Sequence, residues 1–390
     1  LKQGVYLPEG AYAAGIFFAC LCTVALWWGF AVAVKREPKR ACWIDSEFDV
    51  SKLFYAGAFL CAFGFFFQWK LMTLPEEMLA STRWTGAPVK YLFLGSVFKF
   101  GFISLWLLYL TGRKLLVPRM LLFIIPSLML ELNAAVLLGR RAEMMHIFSY
   151  IVIGIWFARR ISIPRWFLIT GLVMGLVLIN AIGMYRAIML RNEEDLGTRL
   201  KEAANADYLS VAEKKTQSSS AEVKNYIFFR QSYVDEGIFN YGATHWNMLI
   251  FNYVPGQIVG RELKNSLMIP LESPTLHAEE EYGYVGFTGS TSTGYLDAYG
   301  SFGWLGFIKF WLVGWIMGTL YRHAMNGAFL AQLLYIYGLG TAMHVVTHQT
   351  NDILVRIWVY FFVLAYPVFY LAKIKEGSCL VATGTVESCH

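Results

Sequence analysis

The sequence predicts an all-α polytopic membrane protein, and three observations carry that prediction. Hydrophobic types make up 57% of the 390 residues and charged types only 15%, against roughly 25% charged in an ordinary soluble domain. Mean hydropathy is +0.47 and aromatic residues reach 17%. The apolar residues are gathered into runs near bilayer length, about 20 residues each, separated by short basic turns. A soluble chain this apolar could not cover its surface with polar groups, so a soluble enzyme is excluded. Disorder, collagen and a secreted disulfide scaffold fall with it. Length alone suggests two or three soluble domains, a guide that lapses when the bilayer is the solvent.

Nine spans follow in order. They are Ala11–Val34, Leu53–Trp69, Tyr91–Leu110, Met120–Leu138, His146–Ala158, Phe167–Ile188, Phe302–Leu320, Ala328–Val346 and Ile353–Ala372. The fifth is short and is expected to begin before His146. The chain thus divides into six helices over 1–188, a large loop over 189–301, three helices over 302–375 and a tail over 376–390. No internal or inverted repeat of the transporter kind is visible.

Orientation follows from the basic residues. One set of turns holds Lys35, Arg36, Lys39, Arg40, Lys52, Arg113, Lys114, Arg119, Arg159, Arg160, Arg165, Arg322, Lys373 and Lys375. The alternate short segments hold Lys2, Lys70, Arg83, Lys90, Arg140, Arg141 and Arg356, half as many. Positive charge is retained in the cytoplasm, so the first set and the C-terminus are expected inside, with the loop outside. The first residue would then lie outside. Because it is Leu rather than Met, a preceding helix is expected. No cleavable signal peptide is visible, since Lys2 leads into a polar turn and the run from Ala11 is too long. The surplus of six positive charges is therefore mostly topological, and no nucleic-acid partner is expected.

The loop of roughly 110 residues far exceeds a typical connection. Arg191–Glu213 reads as helix, Lys214–Ala221 as a polar loop, and Val223–Val234 as an aromatic amphipathic stretch. Pro255–Gly300 is rich in Gly, Pro, Ser and Thr and is expected to be irregular but ordered. Cys20, Cys22 and Cys61 fall in helices, while Cys42, Cys379 and Cys389 fall on the cytoplasmic side. Neither a disulfide framework nor a cysteine zinc site is expected.

Ionisable residues at membrane depth are costly and mark function by default. Arg140 and Arg141 stand at the external end of the fourth helix, against the inside bias. Their adjacent guanidinium forks suit the oxygens of a diphosphate; the plainer alternative is snorkelling, or a bridge to Glu143. Lys99, Glu131 and Lys309 fall inside spans and are expected to pair among themselves, and Asn180 to hydrogen-bond between helices. The loop adds Arg230, Arg261, His245, and His277 at the head of His-Ala-Glu-Glu-Glu-Tyr282. A histidine beside carboxylates serves as general base or metal ligand, but this spacing matches no metal motif and a Glu run is usually solvated. His344 and His348 form an i, i+4 pair before Asn351, Asp352 and Arg356, with no third ligand evident. No metal and no cofactor are expected.

The stretch Ser290-Thr-Ser-Thr-Gly-Tyr-Leu-Asp-Ala-Tyr-Gly-Ser-Phe-Gly-Trp-Leu-Gly306 runs from the loop straight into a helix. It resembles the segment that closes the large periplasmic loop of Wzy-type O-antigen and oligosaccharide repeat-unit polymerases. Gly139-Arg-Arg141 resembles the Arg-bearing turn of the same families. Related O-antigen ligases carry a Ser-His-Asn-like motif where this chain has Ser292, Thr293 and Gly294. The resemblance implies a GT-C-like, metal-independent glycosyltransferase in the bacterial inner membrane. Donor and acceptor would both be oligosaccharides on undecaprenyl diphosphate, with a flippase and a chain-length regulator as possible partners. That chemistry needs cations for the leaving diphosphate and a base from the external loop. Arg140, Arg141, Arg230 and Arg261 would bind the diphosphate, and His277 or Glu280, then His245 or His348, would take the acceptor proton. Alternatives are an O-antigen ligase, a transporter of polysaccharide or lipid-linked sugar, and a purely structural membrane partner.

Overall fold

A computed structural model describes residues 7–37, 43–75, 86–112, 117–136, 141–161, 196–206, 221–254, 256–286 and 293–374, with isolated positions 78, 164, 166, 170 and 188. Secondary structure among these residues is helical, apart from one isolated antiparallel bridge between Phe48 and Lys373. In chain order the helices are α1 Ala11–Lys35, α2 Val50–Met72, α3 Ala87–Gly95, α4 Phe98–Leu110, α5 Val117–Val136, α6 Arg141–Phe148 and α7 Gly154–Arg159. The loop contributes α8 Leu196–Asn205, α9 Ala221–Glu236, α10 Ala243–Tyr253, α11 Gly256–Val259, α12 Arg261–Ser266 and α13 Pro274–Tyr282. The chain closes with α14 Gly294–Phe302, α15 Phe307–Met325, α16 Phe329–His344, α17 Ile357–Tyr360 and α18 Tyr366–Tyr370.

Among the described residues, five segments are long and apolar enough to cross a membrane: Ala11–Lys35, Val50–Met72, Ala87–Leu110, Gly294–Met325 and Asp352–Tyr370. In the most apolar window of α1, 28% of residues are buried inside the protein, while Phe17, Val24, Trp27 and Trp28 stand more than half exposed. A helix apolar on all sides yet so little covered finds its solvent in hydrocarbon. His146–Arg159 is a shorter apolar helix, and helical winding begins before His146, as expected, at Arg141. The expected span Phe167–Ile188 lies outside the described residues except at 170 and 188, and the tail 376–390 lies wholly outside them.

Close packing explains the main pairing. In Gly314-Trp-Ile-Met-Gly318 of α15, a Cβ at Gly314 would fall on the Leu26 carbonyl, and one at Gly29 of α1 on the Trp311 carbonyl. Backbones can approach this far only through glycine, the device that joins helices where apolar transfer gives no drive. Pro126 removes a hydrogen bond inside α5, and proline there bends a helix.

The segment 255–300 corrects one expectation, because much of it is wound into α11, α12, α13 and α14. The instructions are local. Ser273 caps α13, Pro274 opens it and Gly283 closes it at φ +60°, while Thr293 caps α14 by accepting from Leu296 N at 3.3 Å. Gly/Pro/Ser/Thr content here encodes helix ends rather than irregular chain. Of the expected helix Arg191–Glu213, the described part is α8. The aromatic stretch Val223–Val234 lies within α9.

Candidate functional site

The helices present two different ends. At one, Arg322 donates to the carbonyls of Ala33 and Arg36, each at 3.0 Å. Arg160 reaches the Met325 carbonyl, His323 meets Asp45 at 2.8 Å, and Asp49 N donates to Ala372 O at 3.0 Å. Basic turns far apart in sequence thus gather at one end. The opposite end carries the loop: Tyr226 of α9 donates to the Gly15 carbonyl of α1 at 2.8 Å. Within the loop, Trp246 donates to Leu267 O at 2.7 Å, and Asn247 brackets Ile269 at 2.7 and 2.8 Å.

A polar seam joins the loop to the helices. His245, on the first turn of α10, places Nδ1 3.0 Å from Asn351 Oδ1. Oδ1 only accepts, so Nδ1 carries the proton and Nε2 holds the lone pair. That Nε2 is buried without a hydrogen-bond partner. Burial lowers the His245 pKa from its ordinary value, and the Lys309 cation lowers it further, against the opposing pull of Asp297. Asp297 and Lys309 are each 5% exposed and lie 3.3 Å apart. Lys309 also donates to Ser301 Oγ at 2.6 Å. Asp297 accepts from Thr350 N at 3.1 Å and from the Thr350 hydroxyl. The paired charge holds α14, α15 and the turn at Thr350 in one arrangement, and His245 is docked on that turn.

A second cluster lies beside the first. Lys99 Nζ sits 3.1 Å from Glu131 Oε1 and 2.8 Å from Glu143 Oε2. The same Glu143 oxygen is 3.1 Å from His146 Nδ1. The His146 ring stacks on Tyr150 at 5.8 Å and faces His344 at 5.5 Å, and His344 faces His348 at 5.2 Å. A Cβ at Gly340 would collide with the His146 ring, so glycine is what lets α16 close on α6. Two π-helical segments flank this cluster, Ser149–Ile153 and Asp352–Arg356, a winding that favours functional sites. Glu131, Glu143 and His146 offer ligand atoms within 4.8 Å of one another. The Lys99 ammonium already stands against both carboxylates, where a metal cation would have to sit.

The residues singled out in the sequence disperse. Arg140 lies outside the described residues; Arg141 opens α6, and its side chain lies outside them too. Glu143 is engaged by Lys99 and His146. Arg230 is 3% exposed, with its guanidinium over the Tyr299 and Trp304 rings at 4.4 and 5.3 Å. It braces α9 against α14. Arg261 is exposed at the start of α12.

His277 lies between Asp235 at 3.6 Å and Glu236 at 3.4 Å, lining an open cavity of about 490 Å³ with Leu7, Pro8, Glu281 and Tyr282. Glu280 is exposed on α13 and His348 at the turn after α16. Of the four candidate bases, His245 is the one held by a neutral partner with its second nitrogen buried and unpartnered. Lys309 pairs with Asp297 rather than with Lys99 or Glu131. Asp297 and His146 went unrecognised, although each is an ionisable residue within or beside an apolar run, the signal that marked Glu131 and Lys99. Comparison with protein-family models, curated proteins and solved structures finds no match to this chain.

Proposed function

We propose that this protein is a membrane glycosyltransferase that polymerises oligosaccharide repeat units carried on undecaprenyl diphosphate at the outer face of a bacterial inner membrane. The observation that carries the reading is His245. It is a histidine of the loop, oriented through Nδ1 by Asn351 and presenting an unprotonated Nε2 where loop and helices meet. That is the arrangement of a general base. In the proposed step the acceptor hydroxyl attacks the anomeric carbon of the donor sugar. The bond from that carbon to the diphosphate oxygen breaks, and the hydroxyl proton passes to Nε2. Negative charge develops on the departing diphosphate and needs cations close by. Arg141, which opens α6, and its sequence neighbour Arg140 would supply it with Arg356, which is 53% exposed beside Asp352. No metal is required by this route, and a flippase and a chain-length regulator are the expected partners.

The test is in vitro. Purified protein is incubated with lipid-linked repeat units, with and without EDTA, and products are resolved by length. A ladder that survives EDTA and disappears in His245→Ala is expected. No ladder from the wild-type protein, or an unchanged ladder from His245→Ala, overturns the proposal. A ligase would instead transfer finished polymer to a lipid core without lengthening it. A second reading, a transporter of lipid-linked sugar, draws support from the buried Glu131 and the partly buried Lys99 and Glu143 that pair within the helices. Uptake into vesicles without new glycosidic bonds would favour it.

A further inference from the structure

Glu131 is 2% exposed; Lys99 Nζ stands 3.1 Å from its Oε1, and neither carboxylate oxygen accepts a well-formed hydrogen bond. Glu143 offers a carboxylate oxygen within 4.8 Å of it, and one ammonium, Lys99, stands between them. One buried carboxylate and one partly buried carboxylate against one ammonium leave one negative charge without a fixed cation. Like charges this close do not both persist away from water; the pair takes up a proton or another cation. With Lys99 filling the position between them, the smallest occupant is the proton.

The groups facing this pair can be named element by element. From α4 comes Lys99, and from α6 His146. From the π-helical turn after it comes Tyr150, whose hydroxyl is buried and unpartnered. From α16 come Tyr337 and His344, and from the π-helical segment Asp352–Arg356 its two end residues, which act electrostatically on Lys99, His146 or His344. His344 and the exposed His348 extend the cluster to the loop end as a row of rings 5.5 and 5.2 Å apart. Glu143 is joined to that row through His146 at 3.1 Å.

We infer that Glu131 and Glu143 form a site for one exchangeable proton, filled from the loop end of the molecule through His348, His344 and His146. A proton from bulk water passes along the three imidazoles to Glu143 and is shared with Glu131; on release it returns the same way, so no other co-reactant is consumed. The site stands whether or not the chain transfers sugars.

Infrared difference spectroscopy on the full chain in lipid nanodiscs tests it. Acid-minus-neutral spectra of the wild-type protein are expected to show a carboxylic-acid C=O band that shifts to lower frequency in D2O. That band is expected to be lost in Glu131→Gln, which keeps the side-chain shape. After a rapid pH step, His344→Ala is expected to show the same band appearing more slowly. A wild-type spectrum without a D2O-sensitive band overturns the site, as does a band unchanged in both Glu131→Gln and Glu143→Gln. An unchanged rate in His344→Ala overturns the route. The wild-type D2O measurement stands even if a variant fails to fold.

Discussion

Asn351 Oδ1 lies 3.0 Å from His245 Nδ1, tying a histidine of the loop to the residue that precedes the apolar segment Asp352–Tyr370. Asn351 is 2% exposed, so the tie is shielded from competing water. It fixes both the tautomer and the direction of the ring.

Removing either member should therefore act on rate rather than on folding. His245→Ala is expected to lower kcat of sugar transfer by about 10²–10⁴-fold, the usual range for a positioned base. Asn351→Ala should lower kcat by a smaller factor with KM little changed, because the ring is still present but no longer oriented. Steady-state kinetics on lipid-linked repeat units, alongside thermal unfolding of each variant, would show this; a KM effect alone would contradict it.

The His245 environment also fixes a pH dependence. Burial, then Lys309, holds its pKa below the ordinary value, which is about 6.5. Activity that needs the neutral ring should fall off in acid at a midpoint below that value. Stability follows the same sign. The contribution of this group is complete above about 6.5 and is lost as pH falls through the lower folded-state value. A pH–rate profile whose acid limb lies above 6.5 would count against His245 as the base.

Asp297 and Lys309 form a buried pair, each 5% exposed. Asp297→Ala should destabilise by about 3–5 kcal/mol, since it strands a buried ammonium. The double variant Asp297→Leu/Lys309→Met should recover much of the loss. Chemical denaturation of all three in detergent decides it, and a double variant as unstable as Asp297→Ala would show that charge is not the cause.

Gly314→Ala should loosen α15 from α1, because the new Cβ falls on the Leu26 carbonyl. A cost of about 1–3 kcal/mol is expected from overpacking, seen as a lower Tm in detergent. Gly338→Ala in α16, where a Cβ would meet its nearest neighbours Ile353 and Met317 at an ordinary 3.5 Å, removes a glycine without that collision and serves as the comparison.

Arg140→Ala and Arg141→Ala should each lower the yield and length of polymer in cells with normal protein levels. Unchanged polymer in both variants would remove the diphosphate-binding role from this turn.

Much of the helical framework was legible because apolar run length is a one-dimensional signal. The span Ala11–Val34 differs from α1 by one residue. The gathering of Arg36, Arg160 and Arg322 at one end was legible too, since basic turns mark it directly. The site was less so. Asp297 meets Thr350 across 53 positions, and His245 meets Asn351 across 106; no local period encodes either pairing. His146 sits at the edge of an apolar run and reads as a span boundary until α16 is seen against it. The short helices of 255–300 were missed for another reason: their capping residues were taken as signs of irregular chain.

The glycine at 340 has a mechanical consequence. The His146 ring fills the volume that any larger side chain there would occupy, so α16 cannot slide along α6 unless the imidazole first swings out. The ring works as a detent, and the groups that hold it, Glu143 at 3.1 Å and the stacked Tyr150, set how hard it is to release.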